Sequence, residues 1–212
     1  MKLTLGGLPG SGTTTITTLL SEKLEMEVIS AGAMFRQLAA EKNFKLDQFS
    51  KMAEAEAEFD RWVDAKQQEE ADKRDNVIVE GRLSGHLIRD ADLRIWLKAP
   101  AEIRARRIAA REGITYEAAL SGMKERERSE RARYMSYYEI DLKDLRVYDL
   151  IIDTSRWNED ATVGIITIAV AMRIAMQHME EQEGRRREEK REEIRRRKHR
   201  TGIELMADAF RW

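Results

Sequence analysis

LTLGGLPGSGTTT, residues Leu3 to Thr15, is an apolar run that breaks into glycines and ends in hydroxyl side chains. Gly7, Gly12 and Thr14 fit the spacing G-x-x-x-x-G-K-[ST] of a phosphate-binding loop, but Thr13 stands where that pattern has lysine. Such a loop holds phosphates through main-chain N–H groups and the partial positive charge at the start of the next helix. Neither depends on the lysine. The glycines at 7, 10 and 12 let the backbone approach phosphate oxygens, so Gly7, Leu8, Pro9, Gly10, Ser11, Gly12, Thr13, Thr14 and Thr15 form the expected nucleotide cradle. Thr14 keeps the hydroxyl that would meet Mg2+. What is lost is a point charge beside the β- and γ-phosphates, and phosphoryl transfer depends on such charge. Arginines elsewhere are the expected replacement. Taken alone, the loop also admits a glycine turn with no ligand.

Outward from the loop, Lys2–Leu5 reads as a strand and Thr14–Leu24 as a helix with Ile16, Leu19, Leu20 and Leu24 on one face. A short strand at Val28 and Ile29 leads into an Ala-, Glu-, Lys- and Gln-rich helical stretch through Asp72. Then NVIVEG (76–81), LRIWLKAP (93–100) and YDLIID (148–153) are brief apolar runs closed by turn signals. Five short strands separated by helices predict an α/β fold with a parallel, helix-covered sheet. No fixed-period repeat is visible. After about Met179 the composition turns to EEQEGRRREEKREEIRRRKHR, predicting a long charged helical tail over 181–212.

A chain of 212 residues, 42% hydrophobic, can bury a sizeable core, and its formal net charge of -1 gives no global case for nucleic acid or membrane. The absence of cysteine excludes disulfides and thiolate metal sites. Met1 leads directly into a strand-like run, so a cytoplasmic protein without a membrane partner is expected. The longest apolar run, Ala161 to Met176, falls short of the ~20 residues of a bilayer span and contains Arg173, so a packed core helix is expected there.

In order, GGLPGSGTTT, SAGAMFRQLA, VEGRLSG, ADLRIWLKAP, REGITYEAAL, KERERSERARY and YDLIIDTS resemble the archaeal type of cytidylate kinase, a nucleoside monophosphate (NMP) kinase of the P-loop fold. The resemblance covers about residues 1–180, and that group also carries threonine in place of the loop lysine. It implies a P-loop kinase domain over 1–180 with a five-stranded parallel core, a helical NMP-binding insert at about 31–72 and a lid at about 113–140. The implied reaction is phosphoryl transfer from ATP, with Mg2+, to CMP or dCMP, giving ADP and CDP or dCDP. No general base is needed, because the accepting phosphate oxygen is already ionised, and His86, His178 and His199 are scattered in the chain. Arg36 and Arg82 match arginines that hold the monophosphate. Ser30 stands beside Ala31, where bacterial relatives start the motif with serine. Thr14 and Glu80 are the implied Mg2+ pair.

In the lid, Arg126, Glu130 and Arg133 are spaced R-x-x-x-E-x-x-R, on neighbouring turns of one helix face. The resemblance makes Arg126 and Arg133, with Arg82, the residues that close over the transferring phosphoryl group. Arg104 and Arg107 are the expected ATP-side helpers, and with Arg128 and Arg131 they form the pool for a lysine substitute. Asp60, Arg61 and Asp64 of the insert are candidate substrate contacts, with helix-surface ion pairing as the alternative. The cytidine preference rests on the resemblance alone.

Residues 184–200 hold ten Lys or Arg against four Glu. A solvated helix with i,i+4 pairs is one reading of this tail and an acidic or nucleic-acid partner another. The apolar end, with Ile203, Met206, Phe210 and Trp212, favours docking on the core, on a second chain or on another protein. No nucleic acid is expected at the kinase domain. A nucleotide-binding regulator or RNA-associated protein with weak or no transfer is the competing class.

Overall fold

The structure, a computed structural model, describes residues 1–44, 48, 49, 52, 53 and 56–209, with side chains to Glu192 except at position 57. The side chains at the apolar C-terminal end, Ile203, Met206, Phe210 and Trp212, lie outside the described residues. The chain divides into two compact units, Met1–Thr167 and Ile168–Trp212.

The first unit is built on five parallel strands, β1 (Lys2–Gly7), β2 (Glu27–Ser30), β3 (Val77–Glu80), β4 (Leu93–Lys98) and β5 (Leu150–Asp153), in the order β2-β3-β1-β4-β5. The apolar composition of the three inner strands, β1, β3 and β4, follows from burial on both faces. Leu3, Leu5, Val77, Ile78, Val79, Ile95 and Leu97 are all fully enclosed, each worth roughly 1.5–3 kcal/mol relative to exposure. β1 is central, paired with β3 on one side and β4 on the other, so the loop that follows it opens at the carboxyl edge of the sheet. Ligands of open α/β sheets bind at that edge.

Around the sheet lie α1 (Thr13–Leu24), α2 (Ala31–Glu41), α3 (Ala57–Asp72), α4 (Ser84–Leu87), α5 (Ala101–Glu112) and α6 (Tyr116–Tyr138). The stretch expected to form the insert holds α2 and α3, packed through a cluster of Leu38, Ala39, Phe49 and Val63 with Phe35 and Phe59 against it. Gln67 of α3, buried, donates to the carbonyls of Glu80 (2.9 Å) and Ile29 (3.5 Å), tying the insert to the ends of β3 and β2. The stretch expected to form the lid is occupied by α6. Thr115 caps its start by accepting from Ala118 N–H, and Ala119 and Met123 pack on Ala105 and Ile108 of α5.

A last helix, α7 (Glu159–Ala209), is continuous through the charged tail. The run Ala161–Met176 differs from the packed helix expected of it: Thr162, Val163, Ile166 and Val170 are buried, but Ile168, Met172, Ile174 and Met176 are exposed. Apolar residues occupy both faces of this stretch, so helical periodicity could not tell the covered face from the open one.

Candidate active site

The loop between β1 and α1 takes its shape from two residues in the left-handed region, Gly10 at φ 78° and Gly12 at φ 96°. Gly12 precedes α1, supplies no side-chain acceptor to it, and no acid stands in its first turn. The opening N–H groups of α1 are thus left for an external anion. A Cβ on Gly10 would lie 2.6 Å from the Arg104 carbonyl oxygen, so only glycine fits where the loop passes α5.

Beside the loop is a cavity of about 320 Å³ lined by Gly10, Gly12, Thr13, Thr14, Thr15 and Ile16 from the loop and α1. Arg107, Ile108 and Arg111 of α5, with Thr154, Trp157, Glu159 and Thr162, complete it. Arg107 is fixed at the wall, donating to Thr154 Oγ1 (2.9 Å), the Thr154 carbonyl (2.7 Å) and the Gly10 carbonyl (3.4 Å). Thr154 in turn donates to the Ser11 carbonyl at 2.9 Å. Arg104 does not line this cavity. It is buried and spends its donors on the carbonyls of Ala99 and Pro9, both at 3.0 Å, and on Glu127. In this geometry it braces the loop from behind.

At the ends of β2 and β3, register partners Ser30 and Glu80 meet. Ser30 Oγ donates to Glu80 Oε2 while accepting from Ala33 N–H as the cap of α2. Thr14 Oγ1 lies 3.5 Å from Glu80 Oε1. A hydroxyl and a carboxylate at the mouth of a phosphate loop fit an ion that keeps most of its shell on water and phosphate, as Mg2+ does. Among the described residues no three His, Asp or Glu converge on a metal site, so the donors fit a nucleotide-borne ion.

Arg82 follows β3 and reaches across the loop, Nη1 donating to the Gly7 carbonyl at 2.8 Å and Nε to Glu130 of α6. Glu130 is buried and also accepts from Arg126 Nε at 2.8 Å. Burial opposes its charge, but Arg82 and Arg126 outweigh that and hold its carboxyl below the ordinary range. Arg126 itself stays 62% exposed, so most of its guanidinium faces solvent. Arg133, two turns on from Arg126, is drawn the other way: Nη1 lies 3.0 Å from Asp60 Oδ2 of α3, an ion pair without hydrogen-bond alignment. Arg36, Arg128 and Arg131 are exposed, with no ion pair among the described residues. Sequence spacing put Arg126, Glu130 and Arg133 on one helix face and the resemblance added Arg82; neither revealed that Glu130 is the buried partner shared by Arg82 and Arg126. Thr154 and Trp157 were missed altogether, since nothing in YDLIIDTSRW (148–157) marks a cavity wall.

One turn from Asp60, Asp64 accepts from Tyr138 Oη at 2.6 Å. Burial pushes the Asp64 carboxyl up to about 7 against the pull of that hydrogen bond, with Asp60 adding to the rise. Burial likewise lifts Asp60 to about 6, opposed by Arg133. An acid raised on folding holds a proton that the unfolded chain has released, so it costs stability as pH climbs from about 4 to 7. Asp64→Asn keeps the acceptor and removes the titration. Urea midpoints at pH 5, 6, 7 and 8 should fall less steeply for the variant, leaving it more stable than wild type at pH 8 by at least about 1 kcal/mol. Parallel profiles would contradict this.

Comparison with known proteins agrees with this layout. The model of the cytidylate kinase-like family matches residues 2–156. Cytidylate kinase of Pyrococcus furiosus is 48% identical over 170 residues, 80% of this chain and 88% of that protein. The Methanocaldococcus jannaschii enzyme of the same name is 46% identical over 174 residues, 80% and 97% of the two chains. Among solved structures, shikimate kinase from Bacteroides thetaiotaomicron superposes with a TM-score of 0.55 at 13% identity, over 81% of this chain and 98% of its own, a likeness of fold alone. With residues 2–156 matched, nearly three quarters of its length, the chain belongs to the cytidylate kinase-like family.

Proposed function

We propose that this protein transfers the γ-phosphoryl group of ATP to the phosphate of CMP or dCMP, producing ADP and CDP or dCDP. The observation that carries the reading is the placement of arginines on Glu130: Arg82 and Arg126 are held by one buried carboxylate beside an uncapped loop. A module that merely binds nucleotide has no need of cations on the acceptor side of the loop.

In this reading the N–H groups of Gly10 and of Gly12 to Thr15 grip the donor phosphates, that of Ser11 being bonded to the Leu8 carbonyl, and Arg107 completes the donor side from α5. Arg36 and Arg82 take the acceptor phosphate. Arg126 swings from solvent onto the transferring group while Glu130 keeps its stem in place, and Arg133 exchanges Asp60 for phosphate. Thr14 and Glu80 would hold Mg2+, which supplies charge neutralisation between the donor phosphates. Substrate contacts from Ser30 pass through its hydroxyl, already engaged with Glu80, and those from Asp60 need its pairing with Arg133 to open. The charge of the absent lysine is met by arginine, whose planar fork grips phosphate bidentately.

Trp157, 51% exposed on the cavity wall, offers a flat apolar face for the donor's purine. Trp157→Ala should raise KM for ATP about tenfold with kcat for CMP within about threefold, because a stacked ring contributes equally to ground and transition states. An unchanged KM for ATP would place the purine elsewhere. The reading as a whole is tested by following ADP release with Mg-ATP and, in turn, CMP, dCMP, UMP, AMP and GMP. Highest kcat/KM with CMP or dCMP is expected; preference for a purine acceptor would overturn the substrate assignment.

A further inference from the structure

The ion pair between α3 and α6 is incomplete. Arg133 and Asp60 approach to 3.0 Å, but Asp60 Oδ2, Arg133 Nη1 and Arg133 Nε make no hydrogen bond among the described residues. Both side chains are largely shielded from water, where an unbonded donor or acceptor is destabilising. The other two carboxylates of this space are better held. Glu130 accepts from both Arg82 and Arg126, which keep it ionised. Asp64, one turn along α3, accepts from Tyr138 Oη at 2.6 Å. Asp60 depends on Arg133, whose buried nitrogens remain available to a better acceptor. The charged and titratable groups acting here are Asp60, Arg61 and Asp64 of α3, with Glu130, Arg133, Tyr134 and Tyr138 of α6, and Arg82 beyond β3.

We propose that Asp60 is a positioning residue that trades its cation for a proton: when the acceptor phosphate draws Arg133 to itself, Asp60 Oδ2 takes a proton from solvent and is left neutral. This rests on the reading of Arg133 as a phosphate-binding residue. An anionic Asp60 stripped of Arg133 is a buried, unpaired charge, and proteins relieve such a charge by neutralising the group. It also faces an incoming phosphate dianion, with Asp64 and Glu130 adding to the repulsion. A proton on Asp60 removes both penalties, while Glu130 keeps its arginines and stays ionised.

Burial already lifts the Asp60 carboxyl to about 6 against the pull of Arg133, so departure of that cation lifts it further. Asp64 and Asp60 act on each other, and the proton count therefore belongs to the pair. A group whose proton affinity rises on binding makes binding tighter at lower pH, so CMP affinity falls as pH climbs from 7.5 to 8.5. The acceptor phosphate, whose second proton leaves near about pH 6, is a dianion throughout that range and adds no dependence of its own. When product leaves, Arg133 returns to Asp60 and the proton goes back to solvent.

Calorimetric titration of CMP into the full chain at pH 7.5, in buffers of different ionisation enthalpy, counts the protons exchanged. The expected result is uptake of at least about 0.5 proton per CMP bound, with Kd rising about three- to tenfold from pH 7.5 to 8.5. In Asp60→Asn, which keeps the shape of the side chain and cannot titrate, uptake should drop by at least half and Kd vary by no more than about twofold over the same range. CMP binding by wild type with no proton exchange, or with release, overturns the proposal and leaves the acceptor assignment standing, whether or not the variant folds. Undiminished uptake in Asp60→Asn places the proton on another group and overturns it as well. Absence of CMP binding to wild type overturns both the proposal and the reading on which it rests.

Discussion

Replacing Arg82 by alanine is expected to lower kcat/KM for CMP by about 10²–10³-fold while leaving the dissociation constant for ATP within about threefold. Arg82 reaches from the end of β3 to the loop and to α6, donating to the Gly7 carbonyl and to Glu130, and in the proposed reading it faces the acceptor phosphate. Removing it takes away a cation and also frees the buried carboxylate that positions Arg126. A substantial part of the loss should therefore fall on kcat. Arg82→Lys keeps the charge without the fork that spans Gly7 and Glu130, and is expected to recover only part of the activity. Glu130 retains Arg126 in both variants, so unfolding should move by about 1–3 kcal/mol. Steady-state kinetics with each substrate varied, together with a urea titration, check this. Equal losses toward ATP and CMP would contradict the acceptor-side placement.

The second large effect is expected at Gly10. In Gly10→Val a β-branched side chain would have to occupy φ 78° with its Cβ 2.6 Å from the Arg104 carbonyl. The left-handed conformation alone costs roughly 1–2 kcal/mol, and the clash with backbone is relieved only if the loop or α5 moves. Displacing the N–H groups by about 1 Å is enough to lower nucleotide affinity or turnover 10²-fold. Calorimetric titration with Mg-ATP should show affinity reduced at least that much, with a thermal midpoint that still reports a folded protein. Gly122→Ala is the control, since a Cβ there meets nothing within 4 Å and alanine suits a helix interior. Wild-type ATP affinity in Gly10→Val would mean that the loop is not the phosphate cradle.

Much of the fold was legible because each strand announces itself as an apolar run ended by a turn. β1, β3 and β4 coincide with LTLGG, VIVE and LRIWLK, and the loop is marked by glycines whose positive φ no other residue tolerates well. The order β2-β3-β1-β4-β5 was not legible, since apolar composition fixes burial and leaves the neighbours of each strand open. Among the arginines, spacing placed Arg126 and Arg133 on one helix but could not separate solvent from partner. Arg104, expected at ATP, donates to the Pro9 carbonyl from a buried position, and Arg133 rests on Asp60 of α3. Such pairings join residues far apart in sequence, 73 positions for Asp60 and Arg133, and no local pattern encodes them. α7 shows the same limit from the other side. Its apolar face at Ile168, Met172 and Met176 is visible in the sequence, whereas its exposure emerges only when nothing within the described chain covers it.

The loop's threonine returns as the central question, because the account requires that main-chain donors and arginines suffice without lysine at position 13. Direct detection of CDP from Mg-ATP and CMP, by quenched-flow with wild type and Thr13→Lys side by side, addresses it. The account predicts wild-type turnover in the ordinary kinase range of about 1–100 s⁻¹, with no more than a few-fold gain in Thr13→Lys. Wild-type enzyme that binds ATP yet forms no CDP, or whose rate rises a hundredfold with the installed lysine, would show that the arginines do not supply the missing charge.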